Sequence, residues 1–128
     1  TLFPYTTLFR SLQQGMLQRV KEKAQAANVH NIRFLHAGIG DGTLEQNYYD
    51  RALLVTVLGE IPDQKAALKE IFTSLKHGGM LLVTEIIFDP HFQGIKTVRN
   101  LATTVGFREK NIFGNRFAYS MLLEKPRI

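Results

Sequence analysis

Residues 52–88 read ALLVTVLGEIPDQKAALKEIFTSLKHGGMLLVTEIIF, and this stretch decides the fold. Its two apolar runs, at 52–58 and 80–88, flank a segment whose apolar residues recur at helical spacing. An unbroken apolar run is typical of a strand covered on both faces, as in a parallel sheet. Asp63 suits the start of a helix, and Gly78 suits the C′ position at its end. The stretch therefore predicts a strand, a helix and a second, parallel strand.

The same alternation continues on both sides of this stretch. Upstream, residues 11–27 predict an amphipathic helix and residues 31–36 predict a short strand. Downstream, a helix is predicted over 95–105, with Gly106 at its end. Two alternating segments, 107–113 and 116–125, flank Gly114 and Asn115 and predict an antiparallel hairpin. The expected fold class is α/β: a Rossmann-like, doubly wound, mostly parallel sheet with a C-terminal antiparallel hairpin.

The composition is that of one small globular domain. The chain has 128 residues, of which 45% are hydrophobic and 21% charged, which excludes disordered and collagen-like classes. It has no cysteine, so disulfide scaffolds, thiolate zinc sites and a cysteine nucleophile are excluded. Its 4 histidines are scattered without ligand spacing, and we expect no metal site. No apolar stretch has the ~20 residues of a membrane span, and no secretion signal is present, so we expect a cytoplasmic protein.

The net charge of +5 raises the question of a nucleic-acid partner. Basic residues are not gathered in one stripe, because an acidic segment at 34–64 separates two basic ones. A polyanion-binding face more often shows clustered lysine and arginine with aromatic residues between them. We therefore expect solvated helix faces and no nucleic-acid partner.

Candidate ligand positions follow from the predicted topology. In open α/β sheets, ligands bind beyond the carboxyl ends of the strands, which fall here at 36–42, 56–61 and 85–91. The segment GIGDG at 38–42 is a possible phosphate-binding glycine loop of a complete nucleotide binder. The residues after it, 43–51, lack helical periodicity, so this is a weak signal. The residues alone predict a small ligand at this edge.

Four sequence blocks, in their order along the chain, resemble the class I S-adenosylmethionine-dependent methyltransferase family. They are NIRFLHAGIGDG at 31–42, YYDRALLVTVLGEIPD at 48–63, AALKEIFTSLKHGGMLLVTE at 66–85 and VRNLATTVGF at 98–107, followed by the hairpin. The resemblance covers residues 11–126. It implies S-adenosyl-L-methionine (SAM) as the cofactor and methyl transfer to a small-molecule acceptor.

The resemblance also implies a set of cofactor-binding residues. These are Gly38 and Ile39 around the adenine, and Thr56, Val57, Leu58 and Gly59 along the methionine and sulfonium end. The acidic residue that the family places beside the adenine is absent here. Gly59 stands where relatives often have histidine.

No catalytic residue is assigned from the sequence. Transfer from a sulfonium is an in-line displacement, so positioning supplies most of the acceleration, and a base helps only if the acceptor loses a proton. The candidate bases at the sheet edge are Glu60, Glu85, Asp89 and His91. The segment at 59–62 does not match the motif of enzymes that methylate exocyclic amines of bases, and family analogy then implies a quinone-like or lipid-like acceptor.

The beginning of the family pattern has no counterpart before Ser11. The first strand with its glycine-rich loop, and the acidic residue that holds the ribose hydroxyls, are not found. Residues 1–11, TLFPYTTLFRS, resemble translated sequencing-adapter read-through. We expect a non-native leader at 1–11, with an odd native leader as the alternative, and an N-terminally truncated, partial methyltransferase-like domain at 12–128.

Two consequences of this truncation are predicted. The chain alone should be weak or inactive, with weak or no binding of the cofactor. In the sheet, either the strand at 32–36 pairs directly with that at 52–58, or residues 2–9 fill the gap as a surrogate strand. The alternative function is a non-catalytic Rossmann-like binding module, which predicts no affinity for S-adenosylhomocysteine even in the full natural protein.

Overall fold

The computed structural model describes residues 7–10, 18, 21–23, 25–27, 32–35, 44–55 and 58–127. Its elements are, in chain order, β1 (Thr7–Arg10), β2 (Ile32–Leu35), β3 (Tyr49–Val55), a 3₁₀ turn (Leu58–Glu60), α1 (Gln64–Ser74), β4 (Leu75–Ile86), α2 (Ile95–Val105), β5 (Arg108–Asn115) and β6 (Ala118–Glu124). Within the predicted helix at 11–27, residues 18, 21–23 and 25–26 are helical. The rest of that prediction lies outside the described residues.

The described strands form one mixed sheet in the order β2-β1-β3-β4-β6-β5. Strand β1 is parallel to both β2 and β3, and β3 is parallel to β4. Strand β6 is antiparallel to β4 and to β5. The predicted fold class, a mostly parallel α/β sheet with a C-terminal antiparallel hairpin, is confirmed.

A single described strand, β1, lies between β2 and β3. Thr7 pairs with Ile32 on one side and with Arg51 on the other. Of the two arrangements expected here, a surrogate strand is confirmed at Thr7–Arg10, while residues 2–6 of the predicted 2–9 lie outside the described residues. Direct pairing of 32–36 with 52–58 is wrong. The non-native origin of residues 1–11 stays a prediction.

The core lies against one face of the sheet. Along β4, Leu81, Val83 and Glu85 are buried at alternate positions. Apolar residues of both helices join the strands in one buried cluster, among them Leu68 and Val98. The predicted cap of α1 is confirmed, because the Asp63 carboxylate accepts from the Ala66 amide at 3.0 Å.

Two predicted chain reversals are wrong in position. Helix α1 ends at Ser74, not at a C′ Gly78, because Leu75 is already extended and pairs with Tyr49 of β3. Gly78 has a φ of 85° inside β4, where its amide donates to the Lys125 carbonyl.

The hairpin turn is also displaced from its predicted place. Asn115 pairs with Ala118, so Arg116 and Phe117 form the turn in place of the predicted Gly114-Asn115 pair. The Asn115 side-chain oxygen accepts from the amides of Phe117, at 2.9 Å, and Ala118, at 3.1 Å. An asparagine that accepts from amides beyond it stabilises a turn after itself.

Candidate functional site

The carboxyl ends of β3 and β4 lie side by side, since the strands are parallel and Val55 pairs with Thr84. The chain leaves β3 toward the 3₁₀ turn at Leu58–Glu60. It leaves β4 through residues 87–94, which we call the post-β4 loop. This is the edge at which ligands bind in open α/β sheets, and it carries the described part of the candidate site.

The 3₁₀ turn and the post-β4 loop touch at Gly59. A Cβ atom placed on Gly59 would lie 1.8 Å from the carbonyl oxygen of His91. That distance is far below any van der Waals contact, and the blocking atoms include backbone. The neighbouring Leu58 is fully buried in the core, which anchors the turn. Glycine is required here so that the two backbones can approach.

The post-β4 loop is also held by its own hydrogen bonds. The Asp89 carboxylate accepts from the His91 amide at 2.8 Å, and the Asp89 carbonyl accepts from the Phe92 amide at 3.0 Å. At its start, the Ile87 amide donates to the carbonyl of Phe117 in the hairpin turn, at 2.7 Å. These bonds fold the loop back toward the sheet.

A buried carboxylate at the end of β4 binds the far end of this loop. Glu85 is 0% exposed and lies on the core face of the strand. Its Oε1 accepts from the Gln93 amide at 2.7 Å. The Tyr119 hydroxyl, from β6, donates to the Gln93 carbonyl at 2.5 Å. Burial, and secondly the negative charge of Glu85, raise the pKa of Tyr119 above its ordinary value, so Tyr119 remains a donor at neutral pH.

Some of the sequence-predicted site residues can be placed in the structure. Leu58 and Gly59 lie at the carboxyl edge, where they were expected. Gly38, Ile39, Thr56 and Val57 lie outside the described residues, and the glycine-loop interpretation of 38–42 falls on undescribed residues too. The cofactor-binding role of all six stays a prediction.

The candidate bases divide into two groups. The backbone of Glu60 lies in the turn, and Asp89 and His91 lie together on the loop beside Gly59. Glu85 instead faces the core, with its carboxylate bonded to a loop amide. Tyr119 was not among the sequence-predicted site residues. A buried tyrosine hydroxyl needs a hydrogen-bond partner, and this requirement was the signal that could have identified Tyr119.

An exposed apolar surface lies beside this edge, and we call it the aromatic rim. It is formed by the end of β4, the start of the loop and the hairpin tip: Ile86, Ile87, Phe88, Phe113 and Phe117. Phe88 is 92% exposed, and the Arg116 guanidinium lies 4.8 Å from the centre of the Phe117 ring. A shallow groove runs between β4 and the hairpin, with Ile86, Phe113 and Tyr119 in its walls. Exposed clusters of this kind mark binding surfaces more often than isolated apolar residues do.

Within the described part of the chain, no three histidine or carboxylate side chains converge as metal ligands. Likewise, none of the described helices is both long enough and apolar enough to cross a bilayer.

Comparison with known proteins gives consistent matches. The methyltransferase domain family model matches residues 6–83. The demethylmenaquinone methyltransferase of Listeria welshimeri is 30% identical over 120 residues, which cover 89% of this chain and 49% of that relative. The demethylmenaquinone methyltransferase of Staphylococcus saprophyticus is 33% identical over 72 residues, or 56% of this chain and 30% of that relative. The chain thus spans about half the length, or less, of these curated relatives.

The fold is matched by solved structures as well. A Thermotoga maritima SAM-dependent methyltransferase, described as a possible histamine N-methyltransferase, superposes with a TM-score of 0.71 at 18% identity. The match covers 97% of this chain and 84% of that one. At this identity the similarity concerns the fold alone.

Proposed function

The chain belongs to the SAM-dependent methyltransferase family, and we propose that it transfers the methyl group of S-adenosylmethionine to a small, apolar, quinone-like acceptor. The observation that carries the proposal is the family match over residues 6–83, which includes the 3₁₀ turn at the carboxyl edge. The turn and the post-β4 loop then form the described part of the site.

We place the methionine end of the cofactor beside Leu58 and Gly59. By family resemblance, we also assign Thr56 and Val57 to binding of the methionine end, and Gly38 and Ile39 to binding of the adenine; these four lie outside the described residues. Two observations support this fit. The turn lies directly beyond β3, and it presents backbone without a side chain at Gly59. A cofactor that is mostly held by backbone and apolar contacts suits such a turn.

The chemistry asked of the protein is modest. The cofactor supplies a methyl group already activated on a sulfonium. The contribution of the chain is to orient the acceptor in line with that group and to exclude water. The buried turn at Leu58 and the folded loop at Asp89–Phe92 are the described groups that perform this task. If the acceptor must lose a proton, Asp89 and His91 are the described titratable groups beside the turn.

The acceptor class rests on two supports. The curated relatives are demethylmenaquinone methyltransferases, and a quinone is an apolar ring. The aromatic rim offers an apolar surface next to the candidate site, with Phe88 almost fully exposed. A polar acceptor would gain little from such a surface.

The test is a single-turnover reaction with the purified chain in excess. SAM carrying a carbon-13 methyl group is mixed with a short-chain demethylated naphthoquinol, and mass spectrometry detects the product. We expect slow formation of labelled product together with S-adenosylhomocysteine in equal amount. If no label is transferred and millimolar S-adenosylhomocysteine does not bind, the proposal that this chain transfers a methyl group is overturned.

A further inference from the structure

The backbone of Gln93 is held from two strands at once. Its amide donates to Glu85 of β4 at 2.7 Å, and its carbonyl accepts from Tyr119 of β6 at 2.5 Å. Phe92, next to Gln93, packs edge-on against the Tyr119 ring, with centroids 6.2 Å apart. We call Glu85, Gln93 and Tyr119 the clamp. It joins the end of the post-β4 loop to the sheet.

Packing alone does not account for a glutamate at this place. Leu81 and Val83 precede Glu85 on the same face, and all three are 0% exposed. An apolar side chain would fill the position without removing a charge from water, which is costly unless hydrogen bonds compensate. The bond from the Gln93 amide to Oε1 supplies part of this compensation. The Glu85 carboxylate therefore fixes the position of the loop and is not needed for packing of the core.

The clamp controls the part of the loop that faces the candidate site. Two residues before Gln93, the His91 carbonyl lies against Gly59, in the turn we assign to the methionine end of the cofactor. The Gln93 side chain donates to that same carbonyl at 3.3 Å. Displacement of Gln93 must therefore move the wall that the loop forms opposite the turn.

We propose that Glu85 and Tyr119 are positioning residues that hold the post-β4 loop as the acceptor-facing wall of the site. This inference rests on the proposed function. It predicts that loosening the clamp impairs use of the acceptor more than binding of the cofactor. Both residues act through the loop, because the groups they bond are the backbone amide and carbonyl of Gln93.

The test compares Tyr119→Phe with Ser120→Ala, which removes a hydroxyl from the adjacent residue on the opposite face of β6. Ser120 bonds Thr84 at 2.8 Å, so each variant deletes one hydrogen bond. Loss of one such bond predicts about a fivefold faster exchange of the Gln93 amide, and about a fivefold higher acceptor KM, in Tyr119→Phe only. The KM for SAM and kcat should change by less than about twofold in both variants.

Glu85→Gln extends the test, because it keeps an acceptor oxygen and removes the charge. A bond to a charged group is stronger, so we expect about a tenfold rise in acceptor KM. Tyr119→Phe keeps the inference falsifiable if Glu85→Gln does not fold. Methyl transfer with an unchanged acceptor KM in Tyr119→Phe would overturn the clamp and leave the proposed function intact. Absence of transfer and of S-adenosylhomocysteine binding in the unmodified chain would overturn both.

Discussion

At opposite ends of the β4–β6 strand pair, two charged side chains are buried. At the amino end of β4, Lys125 Nζ donates to the Leu75 carbonyl at 2.8 Å and to Asn47 at 3.3 Å. At the carboxyl end, Glu85 accepts from the amide of Gln93 in a loop. Both side chains are at most 5% exposed. The partners differ: Lys125 binds the residue that caps α1, whereas Glu85 binds a loop that reaches the candidate site.

This difference distinguishes a residue that stabilises the fold, Lys125, from a residue that shapes the candidate site, Glu85. A cation near the last carbonyls of a helix satisfies groups that have no partner within the helix and interacts favourably with its dipole. Lys125 therefore stabilises the junction between α1 and β4. Its pKa is lowered by burial, because the core disfavours the charged form. The Glu85 carboxylate at the other end holds the post-β4 loop, so its loss should reduce function more than it reduces the stability of the fold.

The largest expected effect comes from adding a methyl group where the turn and the loop meet. Gly59→Ala would place its Cβ on the His91 carbonyl oxygen. We expect a stability loss of about 1–3 kcal/mol from overpacking, and the loop should also separate from the turn. Because the loop leaves the turn, affinity for S-adenosylhomocysteine should fall by at least about tenfold, which corresponds to about 1.4 kcal/mol of binding free energy. Chemical denaturation and calorimetric titration measure the two effects.

Gly94→Ala is the matched control. Gly94 lies at the end of the same loop and has no atom within 4 Å of its Cβ position. Its φ of −69° suits any residue, but Gly94 is the N-cap of α2, where alanine is less favourable than glycine. We therefore expect a stability loss of at most about 1 kcal/mol and unchanged affinity. Equal ligand affinity in Gly59→Ala and the unmodified chain would show that the contact with His91 is irrelevant to the site.

Lys125→Met tests the scaffold end of the comparison. It removes the Nζ donor from the buried Leu75 carbonyl, which should cost about 1–3 kcal/mol of unfolding free energy. Affinity for S-adenosylhomocysteine should stay within about twofold, because Lys125 lies at the opposite end of the strand pair. Lys96→Met, at an exposed position on α2, should change neither quantity. A loss of affinity in Lys125→Met without a loss of stability would erase the distinction between the two ends.

Deprotonation of Tyr119 at alkaline pH tests the carboxyl end of the strand pair. The folded-state pKa of Tyr119 is raised above the unfolded value of about 10. The stability that protonated Tyr119 contributes is therefore fully present below that pH and is lost as the pH rises further. Tyr119→Phe should flatten the fall of unfolding free energy above about pH 10. Identical slopes in Tyr119→Phe and the unmodified chain would contradict this account.

The smallest expected effect is on the aromatic rim. Phe88→Ser replaces a side chain that is 92% exposed, so stability should change by less than about 0.5 kcal/mol. Acceptor KM should rise a few fold for a naphthoquinol with an apolar tail and stay constant for one without it. Steady-state kinetics with the two acceptors give this ratio. An equal rise in KM for both acceptors would show that the aromatic rim takes no part in recognising the apolar tail of the acceptor.

Sequence patterns predicted the elements better than the reversals between them. The apolar runs predicted β3 and β4, and the Asp63 cap and the Gly106 end of α2 are present. The predicted stop at Gly78 was wrong, because pairing of Leu75 with Tyr49 ends the helix earlier. Cross-strand pairing is a tertiary effect, and local residue preferences do not contain it.

The candidate site was predictable only in outline. The rule for parallel sheets placed Leu58 and Gly59 at the ligand edge, and the structure has them there. The clamp was not foreseen, because Tyr119 and Gln93 are 26 residues apart and meet through backbone groups of a loop. Glu85 was considered a base from its position at a strand end. Its burial follows from the alternation of the strand, which places it on the core face with Val83.

The most direct test of the central claim is a nitrogen-15 NMR titration of the chain with S-adenosylhomocysteine up to millimolar concentration. The account predicts shifts of the amides at 58–61, at Asp89 and at 91–93, all at the carboxyl edge, and none at 76–79 or Lys125. The two ends of one strand pair thus serve as signal and internal control. Shifts confined to the Lys125 end, or no shift at millimolar ligand, would contradict a methyltransferase site at this edge.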